Sequence, residues 1–376
     1  MNVSLELTPR TEISRRFAFS IQAFTILAAL AVASIALFAV DLNPLVVYGQ
    51  MFFGGLTNTS QAADVLNRSA PLILAGLAVY LPLRSGLYNI GAEGQLILGG
   101  LVSVWVGLNA PSMLGISDSG LAILAVALVA SIIAGAVWVL VPVYLYTRYD
   151  VNEILTTLML VFTAERLSTY LITGPMQGGA GTFPRTNRIG MELPTVLGTR
   201  VNIGIVLALL AVAVTWVLIN KTRLGYEIIL SGSNAAVARQ TGIGTGKITL
   251  VVFTLAAGFA GVAGFLEVTG SQPALTIGWL PGYGWTAIPI ALLGRRGAIQ
   301  TMLAGFMFGI IFVGGLQVST AFGVPAAIAQ IIEALIILFL ITSEFVKSYH
   351  FDVIVGSWSL QESITTLLEY SPARGN

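Results

Sequence analysis

Gly86-Leu87-Tyr88-Asn89-Ile90-Gly91-Ala92-Glu93-Gly94-Gln95 lies between two long apolar segments. It sets an amide, a carboxylate and a second amide among glycines at a depth where a membrane protein holds hydrocarbon. A charge at the bilayer centre costs about 2.5–3.5 kcal/mol on insertion scales. Such groups persist where they face a bundle interior or a water-filled path, so the stretch marks either a polar lining or a buried structural network.

The surrounding composition makes the membrane reading firm. Of 376 residues, 56% are hydrophobic and only 9% are charged. Soluble domains carry roughly 25% charged residues, and a soluble fold of this length has no interior large enough for so much apolar surface. The fold class is therefore an all-α polytopic membrane protein, forming one integral domain. Net charge is +1, which gives no long-range field toward nucleic acid. The chain has no cysteine, which excludes disulfides, thiolate catalysis and Cys-based metal sites. Its one histidine, His350, follows the last apolar run and rules out a His cluster. The first apolar run, Phe17 to Val40, exceeds the ~7–15 residues of a signal h-region and reads as an uncleaved helix despite the small residues Ala31-Val32-Ala33.

About 20 apolar residues cross the hydrocarbon core. Ten spans are expected near 17–40, 68–83, 88–108, 120–146, 152–173, 202–220, 247–269, 283–294, 299–318 and 324–343. The second and eighth are short and interrupted by Pro71, Pro82 and Pro289, so they are expected to be tilted, broken or re-entrant. With the N-terminus inside, Arg84, Arg148, Lys221, Arg223, Arg239, Lys247, Arg295 and Arg296 all fall on the inner side, and Arg68, Arg185, Arg188 and Arg200 outside. That bias places both termini in the cytoplasm. Residues 1–16 form a cytoplasmic segment, 17–346 the membrane domain with an inner loop at 221–246, and 347–376 a cytoplasmic tail. The tail reads either as an amphipathic helix around Ser357–Tyr370 or as disordered. The chain carries no Walker A sequence, so it does not hydrolyse ATP through a P-loop of its own.

Several polar groups stand inside these spans. Asn89 and Glu93 are four apart and share a face if the segment is helical, whereas Gln95 points elsewhere. Asn152 suits an N-cap, and Glu153 the first turn of the helix that follows. Glu165-Arg166 is an adjacent opposite pair, structural or at an outer mouth. Gln330 and Glu333 share a face deep in the last span, open to proton relay, substrate contact or a structural hydrogen bond. The six tryptophans read as interfacial anchors or packing rather than as a sugar-stacking platform. In the inner loop, two short amphipathic pieces flank Ser231-Gly232-Ser233-Asn234, where Asn234 can cap the second piece. A short helix of small residues at the inner face suits docking into a groove on another protein, or an ordinary interfacial position.

Taken together these motifs resemble the permease subunits of bacterial ABC importers for nucleosides and simple sugars, the nucleoside type most closely. The resemblance rests on Gly86 to Gln95, on Asn152-Glu153-Ile154-Leu155-Thr156-Thr157-Leu158-Met159, on Gly225 to Ile243, and on Pro281-Gly282-Tyr283-Gly284 followed by Ile288 to Gly294. It covers roughly 68–343, in order. Several ordered motifs are far more specific than one. Tyr88 departs from the pattern, standing where Phe is expected. The resemblance implies a type II importer bundle in the bacterial cytoplasmic (inner) membrane. This chain would form half of the pore with a second, non-identical permease, and bind no cofactor. ATP and Mg would sit on partner ATPase subunits, and an extracytoplasmic binding lipoprotein would deliver the solute. Gly225, Gly232, Ser233, Asn234, Ala235 and Ala236 would then form the ATPase-coupling loop, and Asn89, Glu93, Gln95, Asn152, Glu153, Gln330 and Glu333 the candidates for the translocation path. The competing reading is an ion-coupled secondary transporter that relays protons through Glu93, Glu153 and Glu333.

Overall fold

The computed structural model describes residues 2–9, 15–115, 120–179, 183–196, 198–323 and 325–356. Strand β1 (Asn2–Pro9) leads into α1 (Arg15–Phe38) and a short α2 (Pro44–Phe53). There follow α3 (Thr59–Arg84), α4 (Ala92–Leu114), α5 (Leu121–Trp138), α6 (Leu140–Tyr149) and α7 (Glu153–Thr173). After a long connection come α8 (Gly204–Lys221), α9 (Arg223–Ser233), α10 (Ala235–Gln240), α11 (Thr245–Gly270), α12 (Tyr283–Leu293), α13 (Ala298–Phe322) and α14 (Ala326–Ser348). Strand β2 (Tyr349–Gly356) ends the described chain.

Each expected span coincides with a helix or, for 120–146, with the pair α5 and α6. By length and composition, six segments among the described residues can cross a membrane: α3, α4, α5 with α6, α8, α11 and α13. Helices α3 and α11 form the centre, with 83% and 72% of their apolar windows buried, against 33% for α5–α6 and for α8. The outer helices turn Val129, Ile133, Leu210 and Val214 outward, as a lipid-facing surface requires.

Lipid tails are as apolar as leucine, so helices here associate through close packing. Glycine supplies the closeness. A Cβ on Gly99 would lie 2.3 Å from the Gly261 carbonyl oxygen, and one on Gly264 2.1 Å from that of Leu96, so α4 and α11 touch backbone to backbone. Gly135 and Gly261 do the same between α5 and α11.

Between the first two expected spans, residues 44–53 form α2. Asn43 caps α2 by accepting from Leu45 N–H at 3.0 Å, and Pro44 stands at the first helical position. The second span is neither short nor broken. Its first turns are polar and escape a hydropathy reading, but Asn58 caps them by accepting from Gln61 N–H at 2.9 Å, and α3 then runs 26 residues through Pro71 and Pro82.

The basic turns expected on the inner side gather at one end of the bundle. Arg84 donates to the Arg295 carbonyl at 3.4 Å, and Gly232 lies on the Ser85–Gly86 backbone. At the other end, Asn67 bonds the Arg200 carbonyl and the Asn202 N–H. Between the first segment and the start of the tail, β1 and β2 pair antiparallel, Asn2 opposite Gly356 and Pro9 opposite Tyr349. The expected inner-face helix around Ser357–Tyr370 falls outside the described residues.

Candidate functional site

The opening stretch is not one helix. Helix α4 starts only at Ala92, and residues 85–91 return from the end of α3 as a non-helical segment. Gly86, at φ 77°, makes the reversal, a conformation glycine adopts without steric cost. The i,i+4 pairing of Asn89 with Glu93 therefore fails, and Asn89 pairs with Gln95 instead. Their side-chain amides exchange two hydrogen bonds, at 3.0 and 3.1 Å, and the Asn89 amide also donates to the Ala78 carbonyl at 3.1 Å. That carbonyl is free because its helical partner four residues on is Pro82, which has no N–H. Both amides are buried. They close a structural network inside the subunit, with their groups used on each other and on the backbone.

Glu93 is placed differently. It stands in the first turn of α4, and its carboxylate accepts from Gly284 N–H, in the first turn of α12, at 2.5 Å. Two helix N-termini thus converge on one carboxylate, the charge that their partial positive ends favour. A Cβ on Gly284 would lie 2.2 Å from Glu93 N, so only glycine permits this approach. Helix α12 has 11 residues, about 16 Å of rise. Glu93 therefore lies the length of α12, about 16 Å, from the basic turn Arg295–Arg296.

Beside Glu93 opens a cavity of about 190 Å³, lined from α4 by Glu93 and Ile97, from α7 by Glu165, Arg166, Ser168 and Thr169, and by Ile277 to Leu280. Further along the same two helices is a cavity of about 560 Å³. Leu98, Val102, Trp105 and Asn109 line it from α4, Leu171 from α7, and Met176, Gln177 and Asn187 from the connection that follows. The residue order along each helix stacks one cavity on the other, making a seam from the connection after α7 to Glu93. Below it, Glu153 accepts from the Tyr88 N–H at 3.4 Å. Asn152 keeps the plainer of its two roles, capping α7 by accepting from Ile154 N–H at 2.8 Å.

Gln330 and Glu333 lie apart from this seam. With Trp285, Thr286 and Phe312 they line a cavity of about 330 Å³ on the other flank of the α12 N-terminus. Gln330 is exposed and Glu333 half-buried. The Pro281-Gly282 turn separates the two regions, with Gly282 at φ 84°.

Sequence reasoning missed one cluster. Arg68 on α3 bonds Glu267 on α11 at 2.7 Å and the Tyr283 hydroxyl on α12 at 2.8 Å, and Gln272 donates to the same Glu267 oxygen at 3.3 Å. Removing one member of such a buried pair costs about 3–5 kcal/mol, because the other charge is stranded. In the sequence Arg68 reads as one of the outer charges; the signal for the cluster is the carboxylate Glu267 near the end of another span.

At the basic end, α9 and α10 form an elbow around Asn234, which caps α10 by accepting from Ala236 and Val237 N–H at 3.1 Å each. Ser233, Asn234, Ala235 and Ala236 are exposed, whereas Gly225 is buried against the end of α8. A Cβ on Gly232 would lie 2.4 Å from the Arg84 carbonyl oxygen and 2.9 Å from Gly86 N. The elbow thus sits directly on the turn that feeds the Asn89–Glu93 segment.

The family described as branched-chain amino acid transport system, permease component, matches residues 61–341. The chain belongs to this family of ABC transporter permeases. It is 47% identical, over 93% of its length and 94% of the relative's, to the glucose ABC transporter permease protein TsgB13 of Haloferax volcanii. It is 30% identical to the guanosine ABC transporter permease protein NupP of Bacillus subtilis, over 80% of this chain and 84% of that one. A second guanosine permease of that organism, NupQ, is 26% identical over 64% and 77%. This branched-chain-type permease is thus a multi-pass membrane protein and a transport component.

Proposed function

We propose that this permease forms one half of the translocation pore of an ATP-driven importer for a small polyhydroxylated solute, a simple sugar or a nucleoside. The observation that carries the reading is the contact between the exposed α9–α10 elbow and the Ser85–Gly86 turn. It links a surface suited to an ATPase groove, through seven non-helical residues, to the carboxylate that holds α4 and α12 together. The seam between α4 and α7 is one wall of the path, to be closed by a second permease. The two guanosine permeases of Bacillus subtilis, both similar to this chain, support a non-identical pair. The greater identity to a glucose permease makes a hexose the first solute to test, ahead of the nucleosides favoured by motif alone.

In this mechanism a binding protein releases solute at the outer mouth. ATP closes the partner ATPase dimer, and the elbow moves with it. The turn at Gly86 moves next, and the two permeases rock between outward and inward access, as transporters built around a fixed central site do. Contacts along the seam are weak and several, so solute both enters and leaves. Ten crossings, cytoplasmic termini and residence in the cytoplasmic membrane of a prokaryote complete the reading; ATP and Mg belong to the partner.

Purification of the tagged chain from its native membrane in mild detergent, with mass spectrometry of what accompanies it, tests the assembly. The expected result is an ATPase and a second permease in stable ratio. Recovery of the chain alone, still transporting, contradicts it and moves Glu93, Glu153 and Glu333 to the centre of an ion-coupled mechanism.

A further inference from the structure

Helix α4 is buried along most of its length. Between Ala92 and Leu108, Trp105 is its one exposed side chain, at 48%. The half-buried Leu98, Val102 and Asn109 fall on the same stripe, and all four line the cavity of about 560 Å³. Helical rise puts Trp105 about 18 Å beyond Glu93, at the outer mouth of the seam. An anchoring tryptophan of the interfacial belt belongs on a perimeter helix. Helix α4 packs on α5, α7, α11 and α12 with 56% of its apolar window buried, and its unburied stripe, Trp105 included, lines a cavity. The rim carries uncharged hydrogen-bonding groups: Gln177 and Asn187 are exposed, and the Asn109 amide donates to the Trp105 carbonyl at 2.8 Å, which leaves its oxygen to accept.

We infer that Trp105, with Asn109, Gln177 and Asn187, forms a ring-stacking subsite at the outer mouth, taking a solute with one flat apolar face and flanking hydroxyl or amide groups. The inference rests on the importer reading above. An indole face gathers C–H or π surface without needing a fixed orientation, and the neutral amides hold hydroxyls without the tight grip of a charge. A pyranose and a nucleoside both offer this chemistry. The subsite would receive the solute first and pass it to the charged groups Arg166 and Glu93 deeper in the seam.

The test is ATP-driven uptake of labelled glucose and of labelled guanosine by the purified complex in proteoliposomes, measured per mole of assembled complex. Trp105→Leu keeps apolar bulk but removes the ring; Trp105→Phe keeps a ring. The expected result is a roughly tenfold loss for W105L, with W105F within about threefold of the unaltered chain, in the range that aromatic stacking supplies. The solute whose uptake falls identifies which ring is stacked. Equal uptake by W105L and W105F overturns the subsite and leaves the importer reading intact, Trp105 then being a packing or lipid contact. No ATP-driven uptake by the unaltered complex overturns both. Should W105L fail to assemble, Asn187→Ala and Gln177→Ala decide, since both side chains are exposed on a connection. A several-fold loss in either supports the subsite, and unchanged uptake in both overturns it.

Discussion

Asn89 and Glu93 show how one short stretch serves two ends. The Asn89 amide takes over the carbonyl that Pro82 leaves without a helical donor, so a residue that reads as a candidate for solute contact is a repair of the helix before it. Asn89→Ala should lower stability by about 1–3 kcal/mol, the cost of a buried acceptor without a donor. Pro82→Ala restores the missing N–H, so the double variant should regain part of that loss. Thermal unfolding of the four proteins in detergent reads the cycle, and strictly additive losses would separate the two residues. Sequence signalled that polar groups here are used, since they are costly in a membrane, but not which ones are used on the protein itself. That depends on whether 86–91 is helical, and the glycines that permit an unwound backbone equally permit close packing of a helix. Glu93 meets Gly284 across the bundle, a contact that spacing along the chain does not reveal.

Among the elements, the apolar runs are legible because a span must be long and apolar: each coincides with helix, and six helical segments among the described residues are long and apolar enough to cross a membrane. What escaped were pieces whose partners lie elsewhere in the chain. Helix α2 is 10 residues long, too short for a span, and packs on α13. The first turns of α3 are polar, and the outer cluster joins Arg68, Glu267 and Tyr283 from three helices. The α9–α10 elbow was legible in its parts, from the capping Asn234 and its small neighbours, but not in its seat. Because a Cβ on Gly232 would meet the Arg84 carbonyl oxygen at 2.4 Å, even Gly232→Ala must lift the elbow from the Gly86 turn. Solute uptake by the complex should fall by tenfold or more, while ATP hydrolysis falls far less and the chain still assembles. Loss of both activities in proportion would mean that the elbow only docks the ATPase. Unchanged uptake would remove the proposed link to Glu93.

Among its described residues the molecule is a bundle centred on α3 and α11, with the α4–α7 seam along one flank and strands β1 and β2 paired. The strand pair was hidden from sequence reading because each half, taken alone, is a short segment outside the spans. It has a direct check: the chain lacks cysteine, so Val3→Cys with Val355→Cys introduces a single candidate disulfide at paired positions. Paired strand residues stand within the Cα separation a disulfide spans. Mild oxidation should give an intramolecular crosslink that reduction reverses, visible as a gel shift after cleavage between the spans. A pair moved to Val3→Cys and Ser233→Cys should give none, and equal crosslinking of both would argue against the strand pairing.

If ATP spent on partner subunits, passed through the α9–α10 elbow, moves a sugar or nucleoside along the α4–α7 seam, uptake must follow ATP and not a proton gradient. This is read from uptake of labelled glucose and guanosine into proteoliposomes containing the purified complex and binding protein, with and without ATP, in the presence of a protonophore. The expected result is uptake of at least one of the two that requires ATP and survives the protonophore. Uptake that ignores ATP and collapses with the protonophore would contradict it.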